Sequence, residues 1–284
     1  MSHSLGFDIG GSSVKSVLIQ KGQIKASAVV KLPNNFAKLQ EALVELKNNL
    51  FEQLPELSPE IAVIGIAIAG LLDKKREKIF LAPNIPWLTS RKIADFQKLF
   101  STVPVKIEHD VHCFLLAEKK WGLVKKEKNI LALTLGTGIG GAFTINNQLI
   151  YGQNGLAGEI GHMTLDQSGG RSFEDLAASR FFRRETKKDF YSVHELARKG
   201  DKKAIKILEK YGNNLGIGLA NLINIFDPEI IVLGGGIVSA RKYFQVAMNK
   251  TLKKALRVPN QRQNKIIFSR LGHLAGAMGA TEIA

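Results

Sequence analysis

Two glycine-rich turns close apolar runs in this 284-residue chain: Asp8-Ile9-Gly10-Gly11-Ser12-Ser13 and Leu135-Gly136-Thr137-Gly138-Ile139-Gly140-Gly141. Glycine has no Cβ and accepts positive φ, so such turns let backbone N–H groups approach and cradle a phosphate. Asp8 gives the first turn a carboxylate, whereas the second offers the hydroxyl of Thr137. Between them, Glu108-His109-Asp110 can supply a base. An acid-bearing loop, a neutral loop and an intervening carboxylate suggest phosphoryl transfer. The bland readings stay open at this point. A Gly-Gly pair is more commonly a hairpin turn, and an aspartate ahead of an apolar helix is more commonly its N-cap.

These residues need elements to hold them. Leu5–Ile9, Val14–Gln20 and Ile24–Lys31 read as strands separated by glycine turns, which predicts an antiparallel meander. Leu39, Leu43, Leu46, Leu50 and Leu54 fall on one face of a helix over 39–54. Ile61–Ala69 and Val105–Glu108 read as buried strands, and Asp110 is expected to cap a helix running through Lys120. Further on, Asn129–Leu135 and Gly141–Asn146 are expected strands around the second glycine loop, with Asn147-Gln148 turning the chain. Ile230–Leu233 is an all-apolar strand that runs into Gly234-Gly235-Gly236. Each half thus opens with strand, glycine turn, strand, a weak internal repeat. Leu274–Ile283, rich in alanine and glycine, reads as a closely packed helix. The pattern is that of an α/β protein.

Bulk composition narrows the class. The chain is long enough to bury a sizeable core in two lobes, and 45% hydrophobic residues mark a globular protein. No apolar run is long enough to span a bilayer, and no basic-then-apolar leader opens the chain, so the expected compartment is the cytoplasm. One cysteine, Cys113, excludes an internal disulfide framework and a multi-cysteine zinc site. The net charge of +15 reads either as a solvated basic face or as a surface for a polyanion. No nucleic-acid-binding signature accompanies it.

Six segments in order resemble the ROK sugar kinases of the actin/hexokinase-like superfamily. They are Asp8–Ser12, Pro83-Asn84-Ile85-Pro86-Trp87, Glu108–His112, Gly136–Gly141, Ala157–His162 and Asp227–Gly236. The resemblance implies two ribonuclease-H-like lobes flanking a cleft. They are an N-terminal sugar and phosphate lobe over 1–112, to which a C-terminal helix over 272–284 returns, and a nucleotide-binding lobe over 113–271. It also implies roles. Asp110 is the expected general base, beside a sugar 6-hydroxyl. Asp8 is expected to orient Mg²⁺ through water. Gly10, Gly11, Ser12, Gly136, Thr137 and Gly138 are expected to face the phosphates of ATP, and Gly234, Gly235 and Gly236 its adenosine side. Asn84, His109, Glu159, His162 and Glu174 are the expected sugar contacts, while Lys15 has no assigned role and Trp87 is either an apolar wall or core. A homodimer is the expected assembly.

Two departures from the family pattern bear on substrate. Many members hold a structural zinc with the histidine of Glu-x-Gly-His and three following cysteines, but here no cysteine follows Cys113. No zinc is expected, and 166–171 reads as a shortened loop in its place. His109 and His112 stand where the family has asparagines, so sugar recognition is expected to differ from an ordinary glucokinase. A histidine there is also expected to lower activity at mildly acid pH.

Glucose is the first expected substrate, with an N-acetylhexosamine or another hexose as alternatives. Polyphosphate is the alternative donor, in keeping with the basic charge. A non-catalytic sugar sensor is the reading from another class. Regulators of this kind carry an N-terminal helix-turn-helix, for which the first strand at about Leu5 leaves no room, and Asp110 argues against a dead sensor.

Overall fold

The computed structural model describes residues 3–55, 60–100, 103–257 and 264–283. Met1, Ser2 and Ala284 of the expected lobes lie outside the described residues. The chain forms two units, the first made of Met1–Lys125, Ile150–Ala157 and Arg270–Ala284, the second of Lys126–Leu149 and Gly158–Ser269.

In the first unit, β1 (His3–Ile9), β2 (Ser13–Gln20) and β3 (Gln23–Lys31) build the expected antiparallel meander. Helix α1 (Phe36–Glu52) starts where the Asn35 side chain accepts from the Lys38 N–H at 3.0 Å. It buries Leu39, Leu43, Leu46 and Leu50 in the core with Leu5, Phe7, Ile64 and Ile66. β4 (Ile61–Ile68) runs parallel to β1, and a short ribbon of β5 (Leu71–Leu72) and β6 (Ile79–Leu81) follows. After α2 (Ile93–Gln97), β7 (Val105–His109) adds to β4 in parallel, giving the order β3-β2-β1-β4-β7. β1 and β4 are buried along most of their length, as parallel strands covered on both faces must be.

The expected boundary after residue 112 is corrected. Helix α3 (Asp110–Lys120) is a single hydrogen-bonded element, and it packs on the C-terminal helix Ala275–Ala280. Gly279 lies so close to the Cys113 carbonyl that no Cβ fits between them. A boundary inside that contact would split one packed helix pair, so the first unit extends to Lys125. Nor is Asp110 the cap of α3. His109 holds the N-cap position, and Asp110 is the first helical residue, its Oδ1 accepting from the Val111 N–H at 2.7 Å.

The second unit repeats the plan. β8 (Ile130–Leu135), β9 (Ile139–Ile145) and β10 (Gln148–Leu149) form a meander. A hairpin of β11 (Thr164–Asp166) and β12 (Arg171–Ser172) leads into α4 (Phe173–Ala177), α5 (Ser179–Thr186) and α6 (Phe190–Arg198). The long α7 (Lys202–Phe226) packs along α8 (Arg241–Ala255). β13 (Ile230–Gly234) and β14 (Lys265–Phe268) complete the order β10-β9-β8-β13-β14. The tight turn into β10 is Asn146-Asn147, both at positive φ, and Gln148 already pairs as strand.

Candidate active site

In parallel α/β sheets, ligands bind beyond the carboxyl ends of the strands. In the first unit this edge carries the acids. Asp8 is the penultimate residue of β1, is buried, and accepts from Lys15 Nζ at 2.7 Å. Burial raises its pKa, Lys15 opposes the rise, and the charge of Asp110 adds to it. The following turn is tied by the Gly10 N–H donating to the Ser13 carbonyl (3.0 Å) and the Leu32 N–H donating to the Ser12 carbonyl (3.0 Å). Gly11 and Ser12 are exposed. Asn84, also exposed, packs against Gly11, so the first glycine loop and this expected sugar contact stand together. Trp87 is half-buried against the core.

At the end of β7 the side chains divide sharply by burial. Glu108 is 2% exposed, whereas the carboxyl of Asp110 is 36% exposed. His109 lies between them in sequence, its Nε2 3.6 Å from Asp110 Oδ1. Glu108 Oε1 accepts from the His109 N–H (2.8 Å) and pairs with Nδ1 of buried His112 (3.0 Å). Its Oε2 takes Arg76 Nε at 3.0 Å. Burial opposes ionisation of Glu108, but the His112 hydrogen bond and charge, the His109 N–H and Arg76 together hold its pKa below the usual range. Burial likewise lowers the pKa of His112, against the pull of the Glu108 hydrogen bond and charge. Tyr151 closes the cluster, with the Arg76 guanidinium 4.0 Å over its ring and the His112 ring at its edge, 5.3 Å away. His112 Nε2 and Arg76 Nη2 are buried and have no hydrogen-bond partner among the described residues.

Arg76 and Tyr151 escape a reading of the sequence. Arg76 belongs to a Lys-Lys-Arg run that resembles any solvated basic turn, and Tyr151 is 43 residues beyond Glu108. The one structural hint is backbone, since Arg76 adopts the left-handed region at φ 59°.

In the second unit the corresponding edge carries glycine instead of acid. The 136–138 loop leaves β8, with the Gly136 N–H donating to the Gly138 carbonyl at 3.0 Å. Thr137 is exposed. β13 pairs with β8 in parallel, setting Gly234 opposite Thr134, so the triple glycine lies next to this loop. Gly235 has φ 90° and rests against the Leu135 backbone, a place no side chain can enter. Gly235 and Gly236 are exposed.

The expected sugar contacts of this unit fare unequally. Glu159 and His162 stand together, His162 Nε2 3.6 Å from Glu159 Oε2, with the histidine largely exposed. Glu174 has both oxygens engaged: Oε2 accepts from the Ile139 N–H at 2.9 Å, and Oε1 pairs with Arg180. It is therefore part of the glycine loop's own support. Segment 166–171 is a closed hairpin in which Asp166 takes the Ser168 hydroxyl (2.7 Å) and Arg171 Nε (2.7 Å), contacts that hold its pKa at about 2.

Among the described residues, no group of three or more His, Cys, Asp or Glu side chains can hold a metal ion. Mg²⁺ dehydrates reluctantly and commonly arrives on phosphates with one or two carboxylates nearby. Asp8, with one oxygen committed to Lys15, fits such a cation held through water. Among the described residues no helix is long and apolar enough to cross a membrane.

This pair of matching five-stranded sheets, each with its glycine loop at the carboxyl edge, is the actin/hexokinase-like fold. The ROK family model matches residues 4–284, and the chain belongs to the ROK family. The xylose repressor of Bacillus subtilis is 30% identical over 297 residues, covering 99% of this chain and 76% of that protein. The glucokinase of Streptomyces coelicolor is 28% identical over 316 residues, covering 100% of this chain and 98% of that one. A ROK family glucokinase from Streptomyces griseus, solved with glucose and AMPPNP, matches with a TM-score of 0.84 at 25% identity, covering 100% of this chain and 99% of that one. The family thus includes both sugar kinases and repressors.

Proposed function

We propose that this protein transfers the terminal phosphoryl group of ATP to the 6-hydroxyl of a hexose, glucose being the first candidate. The observation that carries this reading is the placement of Asp110. It is a partly exposed carboxylate on the first turn of α3, at the carboxyl edge of the first sheet, two residues after a buried and fully engaged Glu108. A phosphoryl acceptor must lose its proton, and a carboxylate within hydrogen-bond reach of the hydroxyl takes it. Asp8 and the 10–12 turn would hold Mg²⁺ through water, the cation offsetting charge on the transferring phosphoryl group. The 136–138 loop offers N–H groups to the phosphates, and 234–236 leaves room for backbone approach on the adenosine side. Asn84, His109, Glu159 and His162 are the proposed sugar contacts. The glucokinases similar to this chain over its full length support the same reading.

Two alternatives rest on specific observations. The net charge of +15 favours polyphosphate as a second donor. The similarity to a xylose repressor favours a sugar sensor. A matrix of initial rates decides among them, with Mg-ATP and Mg-polyphosphate each offered against glucose, mannose, fructose, N-acetylglucosamine and N-acetylmannosamine. The expected result is ATP-dependent turnover of at least one hexose. Sugar binding by calorimetry with no turnover on either donor would overturn the kinase reading in favour of the sensor.

A further inference from the structure

The second glycine loop is clasped by the junction of α4 and α5. Glu174 accepts from the Ile139 N–H at 2.9 Å, and a Cβ on Gly138 would run into the same carboxylate. At the other end of the loop, Ser179 donates its N–H (2.9 Å) and its hydroxyl (2.8 Å) to the Gly136 carbonyl. A negative side chain therefore rests against Gly138 and on the amide that immediately follows the loop. For a loop that must accept phosphate this is electrostatically adverse, because like charges repel most strongly where water is scarce. The Glu174 carboxyl is only 14% exposed.

Arg180 answers that charge. One guanidinium nitrogen pairs with Glu174 Oε1, and Nη1 lies 3.0 Å from Asp175 Oδ1. Asp175 spends its other oxygen on the Ser172 N–H (3.0 Å) and hydroxyl (2.8 Å), capping α4, so Arg180 is the cation that faces Glu174. Arg180 itself is 54% exposed, and its head is fixed by these two carboxylates rather than by packing.

We propose that Arg180 is a positioning residue for the phosphoryl donor. By neutralising Glu174 it lets that carboxylate brace the 136–138 loop without repelling the anion the loop receives. This rests on the phosphoryl-transfer reading of the same loop. It predicts that the cation matters only while the carboxylate is there.

The test is calorimetric titration of ADP and of inorganic tripolyphosphate, without sugar, into the full chain and three variants. Arg180→Ala is expected to weaken both ligands roughly fivefold or more, the size of a partly exposed charge contact. Glu174→Gln, which keeps an acceptor for the Ile139 N–H, is expected to bind as the parent does or more tightly. The double variant is expected to return to within about twofold of the parent. Two results overturn the proposal: Arg180→Ala binding as the parent does, or the double variant remaining as weak as Arg180→Ala. If the parent chain binds neither ligand, the phosphoryl-transfer reading itself falls.

Discussion

The two units share a strand order and differ in what they place at its carboxyl edge. In the first, β1 and β7 end in acids: Asp8, buried and paired with Lys15, and the Glu108–His109–Asp110 run. In the second, β8, the counterpart of β1, and β13, the counterpart of β4, run into glycine loops whose Thr137, Gly235 and Gly236 are exposed. Under the proposed function, the first edge would serve a proton and a hydrated cation and the second an anion. The difference lies in the residues at the strand ends, while the strand pairing is alike. It also shows in how charge is held. The first unit buries an Arg76–Glu108 pair under Tyr151, whereas the second keeps its ion pairs, such as Arg171–Asp166, nearer to solvent.

That contrast breaks first at Asp110. Asp110→Asn keeps the side chain's size and removes its basicity, so turnover on the preferred hexose should fall about 10²- to 10⁴-fold while sugar affinity changes little. A loss below tenfold would mean that Asp110 is not the general base. Asp8→Asn comes next. Losing a water-mediated metal contact should cost about 10- to 100-fold in activity. Stability should be unchanged or higher, because burial already disfavours the charged form of Asp8. Parallel rate and melting measurements distinguish this from simple unfolding.

The buried and exposed ion pairs can be compared directly. Arg76→Ala leaves Glu108 charged and buried, with an expected cost of about 3 kcal/mol in denaturant unfolding. Arg171→Ala, at a solvent-exposed hairpin, should barely move the transition. Equal effects would show that the two units hold charge in the same way. The smallest expected effect is a pH dependence. The folded state lowers the His112 pKa, so between about pH 6.5 and that lowered value the unfolded chain binds more protons. Stability should therefore be full above about pH 6.5 and decline as pH falls below it. His112→Asn should flatten this part of the profile, and an unchanged slope would assign it to another group.

Much of this was legible in the residues. Apolar runs ending in glycine located β1, β8 and β13, and the leucine spacing located α1, because each signal is local. The acid and the two loops followed from the same strand ends. What escaped was long-range. Asp110 precedes an apolar helix and so looks like a cap, yet the cap falls one residue earlier at His109. The Arg76–Glu108–Tyr151 cluster joins residues far apart in sequence, and 150–157 returns to the first unit from the middle of the second unit's sequence. Glu174 is an expected sugar contact from its sequence position, while its engagement by Ile139 and Arg180 depends on how α4 and α5 meet the loop. Helix α7 contains three glycines that discourage a helical reading, and two of them, Gly212 and Gly216, sit where α8 passes too close for a side chain.

Under the proposed function, the acids of the first unit and the glycine loops of the second would serve one phosphoryl transfer from nucleotide to sugar. Phosphorus-31 spectroscopy of the parent protein with Mg-ATP, with and without the preferred hexose, tests it most directly. The expected result is one hexose phosphomonoester for each ADP formed, and neither product when sugar is left out. ADP accompanied by inorganic phosphate alone, or a folded protein that binds both ligands and leaves every resonance unchanged, would contradict it.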